Sequence, residues 1–154
     1  MKFSFRFKHH FFNAFREIFV HHHGSLEFRA KIFALIIATN EKPKVENFTL
    51  VKELATTIYE GDENRANLLL LTTKELVEKV KKQNALDLDL LVTTIQKELE
   101  IVPRYAKKID IESLRNFLAY SSDDDTFTYQ ENILEFLEKL KRETLYGNKP
   151  TTKE

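Results

Sequence analysis

The chain contains no cysteine, and only three glycines and three prolines in 154 residues. Without thiols, disulfides, thiolate metal sites and cysteine nucleophiles are excluded, which suits a reducing compartment. So few turn-formers do not fit an all-β chain built on tight reversals. Long apolar runs are missing too. The longest, Ile32 to Ala38, falls far short of the roughly 20 residues of a spanning helix. The basic N-terminus is interrupted by Arg6, Lys8, His9, His10 and Arg16, and no small-residue cleavage site follows, so no secretory signal is read there. The expectation is a cytoplasmic chain, soluble or peripheral at the inner face of a membrane.

Catalytic signatures are also lacking. There is no glycine-rich phosphate loop, no Gly-x-Ser-x-Gly elbow and no His-Glu-x-x-His. All five histidines lie within the first 23 residues, so a Ser/His/Asp set could draw its base only from that segment. The chain is therefore expected to be no enzyme, with no cofactor and no small-molecule substrate. Charge is high at 31% but balanced, 24 basic against 24 acidic residues, which leaves no global field for nucleic acid. Arg104, Lys107 and Lys108 beside Tyr105 make one small basic patch.

What is present is helical periodicity, and 154 residues suffice for one domain with its own core. Ser25 is positioned to cap a helix to about Ala38, whose Leu26, Phe28, Ile32, Phe33, Leu35, Ile36 and Ile37 leave little polar face. Such a helix belongs at the centre of a bundle. Pro43 breaks the chain; Phe48, Val51, Ala55 and Ile58 then recur at helical spacing. Gly61-Asp62 supplies a stop and a cap for a third helix carrying Leu69, Leu76 and Val80. Asp87 caps a fourth, with Leu88, Leu91, Val92, Ile95 and Leu99 in one stripe. Pro103 marks a break, and Asp110 caps a short helix bearing Ile111, Leu114 and Leu118. Thr128 and Glu131 have capping-box spacing for a last helix burying Tyr129, Ile133, Phe136 and Leu140, with Glu135–Lys139 and Glu138–Arg142 pairs outside. The predicted fold is all-α, an irregular bundle of about six to seven helices. Residues 1–24 form a separate N-terminal segment, 25–146 the helical domain and 147–154 a polar tail.

Shifting the chain on itself by 82 residues aligns two helix–turn–helix segments: Thr39 with Ser121, Val45 with Phe127, Val51 with Ile133, Leu54 with Phe136. The second turn reads Asp124-Asp125-Thr126-Phe127-Thr128-Tyr129-Gln130-Glu131. Its acid–apolar–Thr–x–x–Glu order resembles the turn of TerB-like domains, a family that includes bacterial tellurite-resistance proteins and the N-terminal region of the membrane co-chaperone DjlA. The resemblance implies an all-α bundle with two pseudo-repeated hairpins, pinned by Phe127, acting as a binding or scaffold module in a stress- or envelope-associated setting. Some members of the family are proposed to bind a divalent cation through turn acids; the candidate ligands for a weak cation site in this chain are Asp124, Asp125 and Glu131. The chain departs from the pattern at Asp125, where the family has glycine, and at Lys42-Pro43-Lys44-Val45-Glu46, where the first turn lacks the acid. No His-Pro-Asp occurs, so co-chaperone activity is not carried over.

Three features could carry binding. Between Ser121 and Glu138 stand six acids and no base, oxygen ligands suited to calcium or magnesium. The EF-hand order fails, since Phe127 and Leu134 occupy ligand positions counted from Asp123. Such acids also serve simply as solvated charge at a helix N-terminus. His9, His10 and the run His21-His22-His23 could chelate a transition metal, with no obvious fourth ligand among their neighbours. Phe3, Phe7, Phe11, Phe15 and Phe19 repeat every four residues and on a helix span an arc of about 160°. Lys2, Arg6, His9, His10 and Arg16 lie opposite them. That segment reads as a helix folded on its own bundle, an interfacial membrane helix, or one that docks in a partner's groove. The expected partner is a protein or a membrane surface.

Overall fold

The computed structural model describes residues 24–82 and 87–147. They form six α-helices: α1 Gly24–Ile37, α2 Val45–Ile58, α3 Glu63–Lys81, α4 Leu88–Ile101, α5 Ile111–Arg115 and α6 Asp124–Arg142. Short 3₁₀ segments at Pro103–Lys108 and Asn116–Tyr120 join the later helices, and a π turn, Glu143–Gly147, follows α6. No strand occurs among the described residues. The protein is an all-α bundle.

Its centre is α1, because the sequence leaves that helix little polar face. Leu26, Phe28 and every residue from Ile32 to Ala38 are buried, against α3, α4 and the Pro103–Lys108 segment. Burial of each large apolar side chain is worth about 1.5–3 kcal/mol before chain entropy is charged against it. That exceeds what any surface pair contributes, so α1 sets the arrangement. Phe28 packs on Tyr105 with ring centroids 5.3 Å apart, and Phe33 on Phe117 at 5.6 Å. Gly24 at the start of α1 lies close beneath Tyr105: a Cβ there would stand 2.3 Å from the Tyr105 hydroxyl, which would have to move. Ser25, expected as the cap, already lies inside the helix.

Four helix starts are fixed by aspartate side chains accepting a backbone N–H three residues on. Asp62 accepts from Arg65, Asp87 from Leu90, Asp110 from Ser113 and Asp123 from Thr126, at 2.7 to 3.3 Å. Gly61 ends the α2 turn with φ +83, a conformation cheap only without a Cβ.

The last of those caps corrects the sequence reading. Thr128 does not start a helix; α6 begins one turn earlier, at Asp124. Aspartate outranks threonine as a cap, and Asp124 and Asp125 in the first turn favour the positive helix end. The inner face is consequently Gln130, Ile133, Leu134 and Leu137. Phe127, expected to plug the core, is 39% exposed, and Tyr129, expected inside, is 47% exposed. Phe136 and Leu140 are only half-buried. Lys139 lies 4.0 Å from Glu143 rather than pairing with Glu135. In α2 the buried face is Asn47, Leu50, Val51 and Ala55, with Phe48 half-buried and Ile58 at the surface.

The two segments related by 82 residues share local geometry. The Thr39 hydroxyl donates to the Ile36 carbonyl at 2.6 Å, and the equivalent Ser121 hydroxyl to Leu118 at 2.9 Å. The backbone N–H of each residue reaches the same carbonyl at 3.3 Å. The two turns also touch through equivalent residues, since the Ser122 N–H donates to buried Asn40 Oδ1 at 2.9 Å. Gln130, wholly buried on α6, closes the junction by donating to the Ile36 carbonyl and the Thr39 hydroxyl at 3.1 and 3.0 Å. The copies differ in length: α6 follows its turn one helical turn sooner than α2 does.

Candidate functional site

Among the sequence candidates, Asp124, Asp125 and Glu131 are all exposed on the first two turns of α6. At 100° per residue, Asp125 points well away from the other two, and Glu131 lies about two turns along the axis. No group of three or more His, Asp or Glu placed to hold a metal occurs among the described residues. The carboxyl of Asp123, at the cap, lies below its ordinary value chiefly because the Thr126 N–H donates to it. The residues proposed for a membrane or partner surface, Phe3, Phe7, Phe11, Phe15, Phe19, Lys2, Arg6 and Arg16, lie outside the described residues, as do the five histidines. Among the described residues no helix is long and apolar enough to cross a membrane.

The structure brings together a different set. Between α1, α2, the Pro103–Lys108 segment, α5 and α6 lies a hollow of about 180 Å³. Its apolar lining is Ile32, Phe33, Leu54, Ile58 and Leu114. Arg29, Lys107, Lys108 and Lys141 also line it, with Asp110 and Ser113.

Each cation is held there for a local reason. Arg29 projects from α1, its guanidinium 5.6 Å from the Tyr59 ring centroid and its Nη1 donating to the Tyr59 hydroxyl at 3.3 Å. Arg65 approaches the same ring at 5.5 Å, so the tyrosine is shared between two guanidinium groups. Lys141 comes from the last turn of α6 and donates to the Ile109 carbonyl at 2.6 Å. Lys107 and Lys108 end the 3₁₀ segment, which is pegged by the buried side chains of Ala106 and Ile109 on either side of them.

Anionic compensation is thin. Asp110 is the hollow's one carboxylate, and it is already engaged by the Ser113 N–H at 3.3 Å and the Ser113 hydroxyl at 2.8 Å. The ion pairs among the described residues use other bases, such as Lys31–Glu98, Lys52–Glu63 at 2.7 Å and Lys79–Glu75 at 3.6 Å. Burial first, and then the nearby charges of Arg29, Arg104 and Lys107, push the Lys108 ammonium below its ordinary value. A neighbouring recess of about 340 Å³ shares Asp110 and Lys141 but adds Glu112 and Glu138 with Arg142, so three carboxylates outnumber two bases there.

The sequence showed the Arg104, Lys107 and Lys108 cluster but not Arg29 or Lys141, which reach it from α1 and α6. Neither stands out locally: Arg29 shares its helix with Lys31, and Lys141 stands between Lys139 and Arg142 in a basic last turn. No family model, no curated protein and no solved structure matches this chain.

Proposed function

We propose that the chain is a non-enzymatic helical binding module of the TerB-like kind, which engages an anionic partner at the cationic hollow. The observation that carries this is the convergence of Arg29, Lys107, Lys108 and Lys141 from three separate elements on a hollow with one, already engaged, carboxylate. Such an arrangement raises the local potential for an anion. The repeated Thr39 and Ser121 hydrogen bonds and the Asn40–Ser122 contact support the two-hairpin architecture that the family resemblance implies. The module's setting on this reading is stress- or envelope-associated. The test is a titration of the full chain with an acidic peptide, a phosphate ester and anionic vesicles. At least one should shift the amide resonances of Arg29, Lys107, Lys108 and Lys141. If none does, the reading fails.

A second reading, a peripheral membrane adaptor anchored by residues 1–24, draws support from one contact. Gly24, at the junction with the Phe-rich segment, abuts Tyr105 in the same 3₁₀ segment that carries Lys107 and Lys108. The bases of the N-terminal segment and those of the cationic hollow would both favour an anionic lipid surface. Full-length protein with Phe7, Phe11 and Phe15 changed to serine should lose vesicle co-sedimentation; unchanged binding removes this reading.

A further inference from the structure

We infer that the hollow receives a phosphate monoester group, carried either on a lipid head group or on a small soluble ester; this rests on the anionic-partner reading above and narrows it. Size is the first argument. About 180 Å³ is below the roughly 300–1,000 Å³ of pockets that enclose a whole drug-sized ligand. A compact head group enters, and the rest of the molecule stays outside.

Charge and donor count come next. A side-chain carboxylate brings one charge and two oxygens in a plane, whereas a phosphate monoester brings about −1.5 to −2 and three strong acceptor oxygens. Facing it are four cations with unspent donors. Arg29 has given one N–H to Tyr59, and Lys141 one to the Ile109 carbonyl. Lys107 and Lys108 have no hydrogen bond to a described acceptor. The dianion therefore matches the hollow better than a single carboxylate. A nucleic-acid backbone offers one charge per phosphodiester and needs a continuing basic track, which a balanced surface of 24 basic and 24 acidic residues does not provide. The apolar part of the lining suits the first carbons beyond the ester oxygen: Leu54 is half-buried and Ile58 is 37% exposed.

The experiment uses the full chain. Binding of glycerol 3-phosphate and inorganic phosphate is followed by amide resonances. Co-sedimentation is measured on phosphatidylcholine vesicles with and without phosphatidic acid, and a glutamate-rich peptide is the carboxylate probe. Lys107→Gln/Lys108→Gln is compared with Lys44→Gln/Lys97→Gln, exposed lysines outside the hollow.

Glycerol 3-phosphate should shift Arg29, Lys107, Lys108 and Lys141. Its affinity should fall roughly tenfold or more in the hollow variant, since charge-assisted hydrogen bonds are lost, and stay unchanged in the control. Soluble ester that binds and displaces vesicles identifies a free ester as sufficient. Vesicle binding alone, lost in the hollow variant, identifies the lipid head group. Both outcomes uphold the inference. If the peptide shifts these residues and no phosphate compound does, the phosphate inference is overturned while the anionic-partner reading stands. If nothing shifts them, both fall. Equal weakening in the two double variants also overturns it. Should the double variant unfold, Lys107→Gln alone, at an exposed position, gives the same comparison.

Discussion

Replacing Asn40 by alanine tests whether the contact between the two repeated turns holds the bundle together. Asn40 is 1% exposed; its Oδ1 accepts from the Ser122 N–H at 2.9 Å and its Nδ2 donates to the Ile37 carbonyl at 3.0 Å. Alanine removes both bonds. The Ile37 carbonyl keeps the backbone N–H of residue 40, at 3.2 Å, and the amide of exposed Ser122 can turn to water. Neither partner is left with the full penalty of a buried orphan. Two net hydrogen bonds at about 1 kcal/mol each give a loss of about 2 kcal/mol. For a domain of this size that lowers Tm by roughly 4–8 °C. Ser122→Ala is the control: it keeps the N–H and removes only an exposed hydroxyl lying 3.4 Å from that of Thr126, so about 0.5 kcal/mol or less is expected. Denaturant unfolding should show a lower midpoint with an unchanged slope. An Asn40→Ala variant as stable as Ser122→Ala would refute the reasoning, leaving the turn contact incidental.

Lys108→Gln should raise stability at neutral pH by a few tenths of a kcal/mol, by relieving burial and like-charge contacts. Because the folded Lys108 value lies below the ordinary one, the unfolded chain binds the extra proton between the two. Wild-type stability should rise with pH across that alkaline window, and the variant's should not, in Tm measured against pH. The Asp123 carboxyl is depressed in the fold, so its contribution is complete above the ordinary aspartate value and is lost as pH falls through the lowered one. Asp123→Ala should lower Tm at neutral pH, whereas Asp123→Asn should keep a capping acceptor but flatten the acid limb. Gly24→Ala should cost about 1–3 kcal/mol through the 2.3 Å approach to the Tyr105 hydroxyl. Tyr105→Phe should restore most of it, since the next Tyr105 atom is at 3.5 Å, giving a coupling of about 1 kcal/mol or more in a double-mutant cycle.

The elements were legible where one strong local signal stood alone. Asp62, Asp87 and Asp110 each directly precede a run of helical apolar spacing, and each caps as expected. The apolar run of α1 admits no placement but the centre. Legibility failed at α6 because two caps compete within five residues, Asp123 and Thr128. The apolar side chains of Phe127 and Tyr129 favoured the wrong one. The inward face runs through Gln130, Ile133, Leu134 and Leu137, and a polar residue ends fully buried where an aromatic was expected. Gln130 fits there only because the frayed end of α1 presents the Ile36 carbonyl and Thr39 hydroxyl to it. That acceptor pair is a tertiary fact, invisible to any pattern along the chain.

The hollow was illegible for a related reason, and its energetics bear on what it does. Several bases elsewhere among the described residues are set beside acids, as with Lys31 and Glu98, Lys52 and Glu63, Lys82 and Glu78. At the hollow four bases meet one carboxylate that already serves as a helix cap. Such a cluster destabilises the fold through self-repulsion, and a single substitution at Lys107 or Lys108 would relieve it. Surfaces that work against stability in this way are commonly those on which binding depends. Lys108→Gln must therefore move stability and anion affinity in opposite directions. If both fall together, Lys108 is a structural residue, and the hollow loses its claim to be the site.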